Sequence, residues 1–149
     1  MQELNRAMAE LRDSTKRLNA ITDNANALVR DVEEFLNKEC SVGVYASVIV
    51  SSTTHEEHDV TFYTSLSYAR VNGKYRIAIE NGRDDDPEPA IRAWAECTRD
   101  EKLEALAKLP WLILEIAKIM QAATARAEET VSTVAASMAA ALPKKGGNK

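Results

Sequence analysis

The stretch VTFYTSLSYARVNGKYRIAIEN, residues 60–81, decides the fold. Two runs that alternate with period two, rich in β-branched and aromatic residues, flank the dipeptide Asn72-Gly73. A type I′ turn requires positive φ at both central residues, which Asn and Gly adopt at least cost. The stretch therefore reads as a β-hairpin. In its first strand, Val60–Val71, the residues Val60, Phe62, Leu66 and Tyr68 share one face, opposite Thr61, Tyr63, Ser65 and Ser67. In its second, Lys74–Asn81, Tyr75, Ile77 and Ile79 oppose Arg76, Ala78 and Glu80.

Upstream, Ser41–Ser52 has the same period, with Val42, Val44, Ala46, Val48 and Val50 opposite Tyr45, Ser47, Ile49 and Ser51. A longer polar connection, Ser52–Asp59, joins it to the hairpin, so a three-stranded antiparallel meander is expected.

Helical periodicity fills the rest of the chain. From Gln2 to Lys38, Leu4, Leu11, Leu18, Ala25 and Val32 recur every seven residues, accompanied by Ala7, Ser14, Ile21, Leu28 and Phe35. The seam is weak at Ser14 and Ala25, which favours packing on a helix or sheet over a free-standing coiled coil. After the hairpin, Gly82–Pro89 reads as a turn. Asp86 is placed to cap a short helix over Pro87–Cys97, with Pro at its first position. Thr98-Arg99-Asp100-Glu101 matches a capping box that starts another helix. Pro110 kinks that helix or begins a third. Trp111–Met120 is apolar nearly all round, so burial on more than one side is expected. Gln121–Leu142 continues with many alanines. The expected fold is α+β: a long N-terminal helix, the meander, and a helical C-terminal half with a long Ala-rich helix. Residues 1–143 make a single domain and 144–149 a flexible tail.

Size adds a constraint. The N-terminal helix spans roughly 50 Å at ~1.5 Å per residue. A compact chain of this length has a diameter of only about 40 Å. Unless Val131, Val134 and Met138 of the C-terminal helix cover it, the seam overhangs, and a homo-oligomer, with a dimer favoured, is expected.

With 149 residues, 45% hydrophobic and 28% charged, the chain has the composition of one globular domain. A net charge of −4 argues against nucleic acid as a partner, since that affinity comes mainly from neutralised phosphates. Met1–Leu11 is charged and amphipathic and shows no signal-peptide pattern, so Cys40 and Cys97 are expected to be free thiols in a reducing, cytoplasmic compartment. Without CxxC spacing or a neighbouring His they read as structural. The longest apolar run, Leu109–Met120, falls short of the ~20 residues of a membrane span.

Three surfaces offer chemistry. His55-Glu56-Glu57-His58 holds potential metal ligands, but its spacing is not that of a zincin and it lies in a loop between strands. Asp84-Asp85-Asp86 with Glu88 lacks the alternation of a calcium loop and sits where a helix start favours acid. The hydroxyl-rich sheet face is the best candidate. There Tyr45 and Tyr63 would stack on a polar, nucleotide-like ligand, Ser47 and Ser65 would hydrogen-bond it, and Arg76 would pair with its anion. No catalytic residue, metal or cofactor is expected. The expected function is a non-catalytic, homo-oligomeric binding protein that holds a protein partner or a small polar ligand on the sheet face or between subunits. A helical adaptor using the N-terminal seam and a metal-assisted hydrolase using His55–His58 are the alternatives.

Overall fold

The computed structural model describes residues 1–143. Helix α1 (Gln2–Glu34) ends in a π-helical turn, Phe35–Glu39. Strands β1 (Ala46–His55), β2 (Val60–Val71) and β3 (Lys74–Arg83) follow, then a short β4 (Ala90–Ala93) and a 3₁₀ turn, Trp94–Glu96. Helices α2 (Arg99–Leu106) and α3 (Leu109–Ala141) are the last elements of the described residues. The expected tail lies outside the described residues.

The hairpin forms as its sequence dictates. Val71 pairs with Lys74 across Asn72 (φ 51) and Gly73 (φ 81). The sheet is antiparallel throughout, in the order β1-β2-β3-β4. It has four strands where the sequence pattern implies three. The extra strand replaces the expected helix over Pro87–Cys97. Pro89 works against the helix, because the residue before a proline is disfavoured in the α region, and pairing with β3 takes up the segment instead. Asp86 still caps, accepting from the Glu88 N–H at 2.9 Å, but it caps a turn. Ala90–Ala93 then pairs with Ala78–Asn81 of β3.

Strand β1 begins later than expected and runs further. Ser41 (φ 48) and Gly43 (φ 57) adopt left-handed backbone, which breaks the extended run before Ala46. At the other end, β1 reaches His55 and leaves only Glu56–Asp59 as the loop. A bulge between Ile49 and Ser51 also shifts the register. Because strand faces alternate, one extra residue moves all that follow to the other face. Ser51 therefore opposes Thr64 rather than joining Tyr45, Ser47 and Ile49, and Ser52 opposes Tyr63.

One sheet face carries the core. Ala46, Leu66, Tyr68, Ile77 and Ile79 are buried there against Val29 and Leu36 of α1 and its π turn, Ala105 of α2, and Leu109, Leu112 and Ile116 of α3. Each fully buried aliphatic side chain of this kind contributes about 1.5–3 kcal/mol. The end of α1 also seals the edge of β3 that β4 leaves open. Asn37 Nδ2 donates to the Tyr75 carbonyl at 2.9 Å and Asn37 Oδ1 accepts from the Tyr68 hydroxyl. The capping box forms as expected: Thr98 Oγ1 accepts from Glu101 N, and Glu101 Oε1 from Thr98 N. Pro110 begins α3 instead of kinking α2.

Both long helices outrun the core. Residues 2–17 of α1 and 124–142 at the end of α3 are exposed throughout. In its second half α1 buries Ala25, Val29 and, in the π turn, Leu36, whereas the accompanying row Ile21, Leu28 and Phe35 stays about half exposed. Val131 (68%), Val134 (53%) and Met138 (45%) do not cover that row. Trp111–Met120 is likewise buried on one side only: Leu112 and Ile116 are inside, while Trp111 (58%) and Leu114 (59%) face out.

Candidate functional site

The second sheet face assembles around Glu80. Pairing sets Ile49, Ser65, Glu80 and Ile91 in one row and Ser47, Ser67, Ala78 and Ala93 in the next. Tyr45, just before β1, donates its hydroxyl to Glu80 Oε1 at 2.5 Å, and Ser67 Oγ donates to the same oxygen at 2.8 Å. Ser65 (2% exposed), Ser67 (0%) and Glu80 (3%) are buried although this face contributes no side chain to the helix-covered core. Tyr45 reaches across this face to Glu80. Burial, then the hydrogen bond to Glu80, raises the Tyr45 phenol above its ordinary pKa, so it stays protonated and donating. Tyr63 pairs with Gly82, and its ring occupies the space a side chain there would need.

Of the five residues expected to hold a ligand, Tyr45, Ser47, Tyr63 and Ser65 thus share one face, with the hydroxyl of Tyr45 engaged internally. Arg76 shares their parity but sits four residues along β3 from Glu80. It lines instead a depression of about 390 Å³ between the second half of α1, the start of β3 and the 3₁₀ turn. Arg30, Glu33 and Lys102 line it too, with Val29, Ile77 and Trp94 as its apolar wall. An adjoining depression of about 350 Å³ shares Arg30, Glu33 and Arg76 and adds Lys74. Burial raises the Glu33 carboxyl above its usual pKa, against the opposing pull of Arg76 and Lys74. Trp94 is fixed there by its indole N–H, which donates to Asn26 Oδ1 at 2.9 Å. Spacing gives no hint of this cluster, because its cations come from three separate elements.

The remaining candidates are engaged locally. His55 packs edge-on against Phe62, with ring centroids 5.4 Å apart. Among the described residues, no three His, Cys, Asp or Glu side chains converge as metal ligands would. Asp84 accepts from the Thr61 N–H at 3.1 Å, and Asp85 holds Arg83 through two hydrogen bonds of 2.9 and 2.8 Å. Cys40 is exposed and Cys97 buried, both as free thiols, and burial raises the Cys97 pKa. No helix of the described residues is long and apolar enough to cross a membrane.

Comparison with protein families, with characterised proteins and with solved structures yields no match to this chain.

Proposed function

We propose that this protein is a non-catalytic binding protein that acts as a homo-oligomer and holds a protein partner through its projecting helices. One observation carries this: both long helices continue their core-facing apolar rows past the body of the fold, into solvent. On α3 the row Leu109, Leu112, Ile116 is buried, and at helical spacing it runs on through Ala123 and Ala127 to Val134 and Met138, which are exposed. On α1 the core-facing row of Val29 and Ala25 runs back through Leu18 to Leu11, Met8 and Leu4, the last three exposed, while Ile21, Leu28 and Phe35 beside the buried part stay about half exposed. Exposed rows of this length mark interaction surfaces. The sheet face supports ligand capture less well, since Ser65, Ser67 and Glu80 are buried and two of them are bonded to each other. Two free thiols fit a reducing, cytoplasmic setting.

Native mass spectrometry of the protein taken directly from cells tests the proposal. More than one copy, together with a retained polypeptide, is expected. Val134→Asp combined with Met138→Asp should release the polypeptide and leave the circular dichroism unchanged, while Tyr45→Ala and Tyr63→Ala should retain it. A single bare chain, or loss of the partner only in the tyrosine variants, overturns the proposal.

A further inference from the structure

Lys102 lies in the first turn of α2 and is only 9% exposed. Among the described residues it forms no salt bridge within 4.0 Å. At that exposure most of its stem is covered, and it lines the depression described above. Among the same residues the other cations of the depression, Arg30 and Arg76, are also without a salt bridge, as is Lys74 in the adjoining one. Glu33 is the one acid facing them in the first depression. In the second, Glu34 is already held by Lys38 at 3.0 Å. Arg30, Arg76, Lys102 and Lys74 thus outnumber Glu33, the one acid among these linings not held in a salt bridge, and make a locally positive surface in a chain of net charge −4.

We propose that this depression is an anion site for a phosphate-bearing small molecule. The phosphate sits between Arg76 and Lys102 with Arg30 at its side, and the wall formed by Val29, Ile77 and Trp94 takes an apolar portion. Arginine supplies the planar fork that phosphate oxygens match, and lysine adds a point charge. Each depression, at about 390 and 350 Å³, is at the lower end of the range of small-molecule pockets. The site uses the core-packed second half of α1 and not the projecting ends of the helices, and it does not depend on what those ends bind.

Thermal unfolding of the full chain, with and without inorganic phosphate, pyrophosphate or adenosine diphosphate, tests this. A ligand that binds only the folded state raises Tm with concentration. Saturable stabilisation by at least one probe is expected. Stabilisation by all three assigns the site to phosphate itself. Stabilisation by the nucleotide alone assigns it to a larger ligand that also uses the apolar wall. Arg76→Gln should weaken the effect at least tenfold. So should Arg30→Gln, a substitution at an exposed position that leaves the fold intact. Lys102→Met separates binding from structure. If the ammonium serves a ligand, the variant melts at or above the wild-type temperature without ligand and no longer responds to it. A Lys102→Met protein that melts lower yet still responds overturns the proposal, as does the absence of stabilisation by all three probes, or an undiminished response in both arginine variants.

Discussion

Gly82 shows how one residue fixes the second sheet face. Its backbone needs no left-handed freedom. What it needs is space, because a Cβ there would lie 2.5 Å from Tyr63 Cζ. Gly82→Ala should therefore cost about 1–3 kcal/mol by overpacking. In a Tyr63→Ala background the clash disappears, and the same change should be neutral or stabilising, since Gly is a poor strand former. Urea unfolding of the four proteins measures the coupling; additive effects of the two substitutions would show that the ring does not rest on Gly82. The identity of both residues is plain in the sequence, but their contact is not. A glycine near the end of an alternating run reads equally well as the start of a turn, here Gly82–Pro89, until the Tyr63–Gly82 pairing is known.

At the scale of elements, legibility follows locality. The Asn72-Gly73 hairpin and the Thr98–Glu101 capping box are written in adjacent residues, and both form as expected. Strand β4 is four residues long and exists only through pairing with β3, so no periodicity reveals it. The bulge at Ile49–Ser51 and the depression around Arg76 depend in the same way on partners distant in the chain. One link across β4 has a measurable consequence. Arg92 holds Glu101 of α2 through both terminal guanidinium nitrogens and donates to Asn81 Oδ1 at 2.9 Å, tying strand, sheet and helix together. The hydrogen bonds from Arg92, and then that from the Thr98 N–H, lower the Glu101 carboxyl from its usual 4.5 to about 2. A depressed folded-state pKa gives stability that is complete above the unfolded value and is lost as pH falls through the folded one. Wild-type stability should thus fall between pH 4.5 and about 2 more steeply than that of Glu101→Gln, which keeps a capping side chain but cannot titrate. Parallel stability–pH curves for the two proteins would exclude Glu101 from the acid response.

For the whole molecule, the question is how copies of the chain would meet, and the charge on α1 argues for one direction. In residues 2–20, Arg6, Arg12, Lys16 and Arg17 stand against Glu3, Glu10 and Asp13, a net +1. In residues 21–39, Arg30 and Lys38 stand against Asp23, Asp31, Glu34 and Glu39, a net −2 once Glu33, which faces Arg76 and Lys74, is set aside. A parallel pair of α1 helices stacks like on like, whereas an antiparallel pair sets the basic half of each on the acidic half of the other. The apolar row agrees. Antiparallel overlap centred between residues 19 and 20 brings Leu4 to Phe35, Leu11 to Leu28 and Leu18 to Ile21 of the second copy, which matches the large side chains left outside the core. Leu11 (66%) and Leu28 (49%) are exposed within one chain, so charges placed there spare the fold. Leu11→Glu or Leu28→Lys alone should weaken self-association about tenfold or more by burying an unpaired charge. The double variant should recover much of that loss, because each introduced carboxylate then meets an introduced ammonium across the antiparallel pair. In a parallel pair the same double variant sets carboxylate on carboxylate and ammonium on ammonium, and binds no better than the worse single variant. Sedimentation equilibrium of the four proteins distinguishes the two directions, and indifference to all three variants would remove α1 from the contact altogether.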